Sequence, residues 1–142
     1  MIYRIPIVTL LLILAIWAPR VQGGDRYSFE VFIRCDESVP HWCGKLIIYE
    51  EDDRDHDIIK TEHFCTNQTT MNFVYPDVDP EGDWGFEYEF KYRLEHTCAT
   101  DGSERCIQML DAVDAPMGYF RNIHWYIKAI DSGRPQCWVD GL

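Results

Sequence analysis

The sequence predicts an all-β fold, an antiparallel β-sandwich of about seven short strands stapled by disulfides. Three observations predict it. Apolar and polar residues alternate with period two along most of the chain. Gly, Pro, Asp and Asn punctuate the runs between these stretches, and no window of a dozen residues shows a 3.6-residue period. Six cysteines, at 35, 43, 65, 98, 106 and 137, all lie downstream of an apolar N-terminal segment.

That segment, residues 1–23, reads as a signal peptide. Arg4 gives a positive start, residues 5–17 are nearly all apolar, and Pro19 with Val21-Gln22-Gly23 offers a cleavage site. An apolar run of about 13 residues falls short of the roughly 20 that span a bilayer. The expectation is a secreted, extracellular protein with no transmembrane segment. A single domain is expected over residues 24–142, ending in a short C-terminal extension. Removing Arg4 and Arg20, with no acid between them, takes the formal charge from −11 to −13. So acidic a surface repels nucleic acid and anionic headgroups.

The clearest strand covers residues 86–95. Phe86, Tyr88, Phe90, Tyr92 and Leu94 form an apolar face, and Glu87, Glu89, Lys91, Arg93 and Glu95 a charged one. Tyr27, Phe29, Val31 and Ile33 repeat the pattern. Further strands are expected over 45–50, 58–64, 71–75, 107–113 and 119–130, with room for one helical turn in 111–118 that Pro116 limits.

An even cysteine count in a secreted chain of this size predicts three bridges, and six cysteines allow fifteen connectivities. Cys98 with Cys106 is the favoured pair, because it closes the short polar tip 99–105. Asn67-Gln68-Thr69 is an N-glycosylation sequon in a polar turn, which makes Asn67 the expected glycan acceptor.

Site chemistry is sparse. Asp53, Asp55 and Asp57 open like a calcium-binding loop, but Ile58 stands where that loop needs Gly and Phe64 where it needs Glu. Three His-x-Cys pairs (His41/Cys43, His63/Cys65, His96/Cys98) place imidazole and sulfur on one strand face, as a metal site requires. Bridged cysteines supply no thiolate, so no metal and no cofactor is expected. There is no Gly-x-Ser-x-Gly elbow and no cysteine left over after pairing, so no catalytic residue is assigned. The C-terminal aromatics Tyr119, Phe120, His124, Trp125 and Tyr126 occupy both strand parities. They are the candidate binding patch, with core burial on both faces as the competing reading.

Three blocks follow one another along the chain. The first is Cys35-Asp36-Glu37-Ser38-Val39-Pro40 followed by Leu46-Ile47-Ile48-Tyr49-Glu50-Glu51-Asp52-Asp53. The second is Asp55-His56-Asp57-Ile58-Ile59, and the third joins His96-x-Cys98, Cys106 and Ala115-Pro116. In the order of these blocks the chain resembles the nematode transthyretin-like family of secreted proteins, over roughly residues 27–119. Residues 67–73 depart from the family's usual turn, and Cys43, Cys65 and Cys137 are additional to its common set. The resemblance implies a transthyretin-type sandwich acting without catalysis as a carrier, ligand or cell-surface bridging factor. Its partner would be an extracellular protein, a lipid or a small hydrophobic ligand, and oligomerisation through a strand edge is compatible with it. A disulfide-rich effector or inhibitor is the alternative. A hydrolase on the hydroxyisourate-hydrolase fold is a third reading, but the chain ends Val139-Asp140-Gly141-Leu142 rather than in that family's Tyr-Arg-Gly-Ser tail.

Overall fold

The computed structural model describes residues 26–52, 56–80 and 86–138. The expected leader at 1–23, Asp53 and Asp55 of the acidic loop, and residues 139–142 lie outside the described residues.

Eight strands form, and no helix appears among the described residues: β1 (Tyr27–Arg34), β2 (Trp42–Glu50), β3 (Asp57–Thr66), β4 (Thr70–Val78), β5 (Glu87–His96), β6 (Arg105–Gln108), β7 (Val113–Pro116) and β8 (Arg121–Lys128). They make two sheets. One is three-stranded, in the order β4-β1-β8; the other runs β3-β2-β5-β6, with β7 also paired to β5. Among the described residues no helix is long and apolar enough to cross a membrane.

Alternation explains the core. Tyr27, Phe29, Val31 and Ile33 of β1 are buried, as are Trp42, Leu46 and Ile48 of β2 and Tyr88, Phe90 and Leu94 of β5. The two sheets meet through aromatic edges. Tyr27 contacts Phe90 at 4.9 Å between ring centroids, and Phe29 contacts the same ring at 5.0 Å, both edge to face. Such pairs add about 0.5–1.5 kcal/mol each beyond the area they bury. Tyr27 is buried without stranding its hydroxyl, which donates to Pro116 O at 2.8 Å.

Four expectations need correction. The pairing is not wholly antiparallel: β1 and β8 run parallel, Tyr27 beside Arg121 through Arg34 beside Lys128. Local alternation is the same in either orientation, so the sequence did not reveal it. The stretch 107–113 is not one strand. It breaks after Gln108, and the chain re-pairs with β5 as β7. Pro116 ends a strand there rather than a helical turn.

The charged face of β5 is not all in water. Lys91 and Arg93 are each 7% exposed. The Lys91 ammonium pairs with Glu51 at 2.5 Å and donates to Leu110 O at 3.0 Å, while Arg93 pairs with Glu95 at 3.0 Å. Burial of these cations is tolerated because each has an acidic partner.

The fourth correction concerns the bridges. They are Cys35–Cys98, Cys43–Cys65 and Cys106–Cys137, not Cys98–Cys106. Cys106 stands opposite Glu95, whose neighbours Leu94 and His96 point into the core. Cys106 therefore leaves the outer face of its sheet, where the C-terminal segment crosses it. Cys98, fully buried, faces Cys35 at the end of the other sheet.

Candidate functional site

Three places carry candidate chemistry: the outward face of the three-stranded sheet, the region around the Cys43–Cys65 bridge, and the acidic end of β2.

On β8, Ile123, Trp125 and Ile127 point inward, and Asn122, His124, Tyr126 and Lys128 point outward. The expected patch therefore divides. Trp125 is not part of it: it is 8% exposed, stacked on Phe29 at 5.6 Å and set edge to face with Tyr92 at 5.3 Å. Tyr126 is 61% exposed and stacks on Phe32 of β1, with centroids 5.2 Å apart and planes 16° from parallel. One step along the same face, His124 Nδ1 lies 3.0 Å from Glu30 Oε2, and Asn72 Nδ2 donates to Glu30 Oε1 at 3.2 Å. Exposed Val74 stands beside Glu30 on β4. At the other end Arg34 and Lys128 are neighbours in register, two like charges side by side. Tyr119 and Phe120, both exposed, precede β8 in the loop after β7.

The sequence reading missed Phe32, Glu30 and Val74. The signal was present, since the parity that buries Phe29, Val31 and Ile33 turns Glu30 and Phe32 outward. What it could not supply was β8 as the neighbour of β1. The resulting surface offers stacked rings flanked by a carboxylate–imidazole pair on one side and two cations on the other, an arrangement suited to binding.

Cys43 and Cys65 oppose each other on β2 and β3. His41 sits against this bridge, with Nε2 3.9 Å from Cys43 Sγ and Nδ1 2.7 Å from Asn67 Oδ1. Two of the His-x-Cys pairs thus meet at one bridge. Asn67 is exposed in the turn between β3 and β4. A cleft of about 510 Å³ opens here, lined among others by Lys45, His63, Phe64 and Glu95. The third pair is separate and buried. His96 is 1% exposed, and its Nδ1 accepts a hydrogen bond from Cys98 N at 3.2 Å. Burial pushes its imidazole down to about 4; a backbone contact from Ser132 opposes the shift and the Arg105 charge adds to it.

At the acidic end, Glu50, Asp52 and Asp57 each bring a carboxylate oxygen within 4.8 Å of the others. Glu50 is 4% exposed and accepts from Glu89 N at 3.3 Å. This is not the Asp53, Asp55, Asp57 series of the sequence; only Asp57 is common to both.

Comparison with curated proteins found no match, and comparison with solved structures found none. A family described as "Caenorhabditis elegans protein of unknown function (DUF870)" matches residues 30–139, most of the chain from within β1 to just beyond Cys137. The chain belongs to that family.

Proposed function

We propose that the protein is a secreted, non-enzymatic binding protein of transthyretin-like architecture, and that it engages its partner through the outward face of β1 and β8. Exposed Tyr126, stacked on half-buried Phe32, carries this reading. Aromatic side chains left in water on a sheet face, beside organised charges, are the usual anchors of a recognition surface. Support for secretion comes from the apolar leader in the sequence and from the bridging of all six cysteines, which suits an oxidising compartment. Asn67, exposed in its turn, is the proposed glycan site. The transthyretin-like assignment rests on the three sequence blocks and on two sheets packed over an aromatic interior.

The test is capture of extracellular proteins and lipids on immobilised, oxidised protein, compared with a Phe32→Ser/Tyr126→Ser variant. A partner retained by the wild type and lost by the folded variant supports the reading. Equal retention by both places recognition elsewhere and overturns it.

A further inference from the structure

We propose that the Cys43–Cys65 bridge is a redox-gated zinc site: once reduced, its two sulfurs and His41 Nε2 bind one Zn²⁺. Access is the first argument. Cys65 is the one exposed cysteine among the described bridges and its partner Cys43 is half-buried, whereas Cys137 is half-buried and bridged to a 5% exposed Cys106, and Cys35 and Cys98 are 2% and 0% exposed. Thiol–disulfide exchange needs a thiolate to reach a sulfur, so a reductant meets this bridge before the other two. The cleft lined by Cys43, Cys65 and His63 opens directly onto it.

Geometry is the second argument. One ligand atom each of His41, Cys43 and Cys65 lies within 4.8 Å of the others, and His41 Nε2 is 3.9 Å from Cys43 Sγ. A tetrahedral zinc with Zn–S of about 2.3 Å and Zn–N of about 2.0 Å sets its nitrogen and sulfur about 3.5 Å apart. The imidazole already stands close to where the ion needs it. Two thiolates on the same ion sit about 3.8 Å apart. The side chains of directly opposed residues reach that spacing by rotating, without separating the strands. The β2–β3 ladder runs past the bridge on both sides, from Trp42 opposite Thr66 to Glu50 opposite Asp57.

The third argument is the tautomer. Asn67 Oδ1 is an acceptor, so at 2.7 Å it accepts a hydrogen bond from His41 Nδ1–H, the tautomer whose lone pair is on Nε2, facing the sulfur. A glycan on Asn67 would occupy Nδ2 and leave Oδ1 for the histidine. Two thiolates and an imidazole suit zinc, and three protein ligands leave its fourth position to water.

The chemistry balances with a thiol reductant. A dithiol, or two small thiols, gives two electrons and two protons to the S–S bond and leaves as its own disulfide. Cys43 and Cys65 become thiols, and Zn²⁺ then displaces both protons. With the bond intact neither sulfur is a thiolate, and the site is closed.

The full chain, treated with graded dithiothreitol and desalted without oxygen, is alkylated with N-ethylmaleimide and mapped by peptide mass. The lowest effective dose should label Cys43 and Cys65 alone, and one equivalent of Zn²⁺ should block that labelling. Cobalt in place of zinc should give a thiolate-to-metal absorption band, and His41→Ala should weaken its binding by more than about tenfold. A Cys43→Ala/Cys65→Ala variant keeps the other two bridges and should bind no cobalt. Earlier opening of either other bridge, labelling indifferent to zinc, or undiminished cobalt binding by either variant would overturn the proposal.

Discussion

Cys35, one residue past β1, is bridged to Cys98, two residues past β5, so one covalent link ties the three-stranded sheet to the larger one. The loop it closes spans 63 residues. A loop of that length gives about 4 kcal/mol in the chain-entropy account. The Cys35→Ala/Cys98→Ala variant should lose stability of that order in urea titration. Because both sulfurs are buried, repacking adds to the loss rather than relieving it.

Trp125 and Tyr126 are adjacent aromatics with opposite fates. Trp125→Ala opens a hole between Phe29 and Tyr92 and should cost about 3–5 kcal/mol. Tyr126→Ala leaves the core untouched and should shift stability by no more than about 0.5 kcal/mol. Thermal melts of the two variants side by side measure this. A reversed order would mean that β8 is out of register by one residue.

Gly44 is required by its neighbour across the ladder. A Cβ at this position would lie 2.5 Å from the ring of Phe64. That ring has little room to swing, since Trp42 holds it at 5.1 Å and Phe73 at 5.3 Å. Gly44→Ala should destabilise by about 1–3 kcal/mol as an overpacked contact. Adding Phe64→Leu should return part of the loss, which equilibrium unfolding of the double variant will show.

His96 gives the fold an acid sensitivity. Its native pKa of about 4 lies below the ordinary value of 6.5. Above pH 6.5 the imidazole is neutral in both states and contributes no pH dependence. Between pH 6.5 and 4 the unfolded chain takes up a proton that the native state refuses, and stability falls, by about 3 kcal/mol at full extent. His96→Gln should flatten this part of the stability–pH curve, leaving the fall below pH 4 to the carboxylates.

Much of the fold was legible from parity alone. The alternation at Tyr27, Phe29, Val31 and Ile33, and again at Tyr88, Phe90 and Leu94, names the buried faces of both sheets. What escaped is non-local. Nothing in residues 121–128 says that they lie parallel to β1, so the stacking of Tyr126 on Phe32 could not be read from either segment. The same holds for the cysteines. Cys98 and Cys106 are near in sequence, but Cys98 is buried past the end of β5 against Cys35, while Cys106 leaves the outer face of its sheet. A loop-length argument weighs proximity and is blind to side-chain direction. His41, Cys43 and Cys65 each stood in a His-x-Cys pair, yet only the β2–β3 register brings them to one place.

The measurement that bears most directly on this account is a disulfide map of the oxidised chain by mass spectrometry of non-reduced peptides. The account predicts Cys35 with Cys98, Cys43 with Cys65, and Cys106 with Cys137, with no free thiol among them. Peptides joining Cys98 to Cys106 would contradict it, because the two sheets could not then be laid together as described.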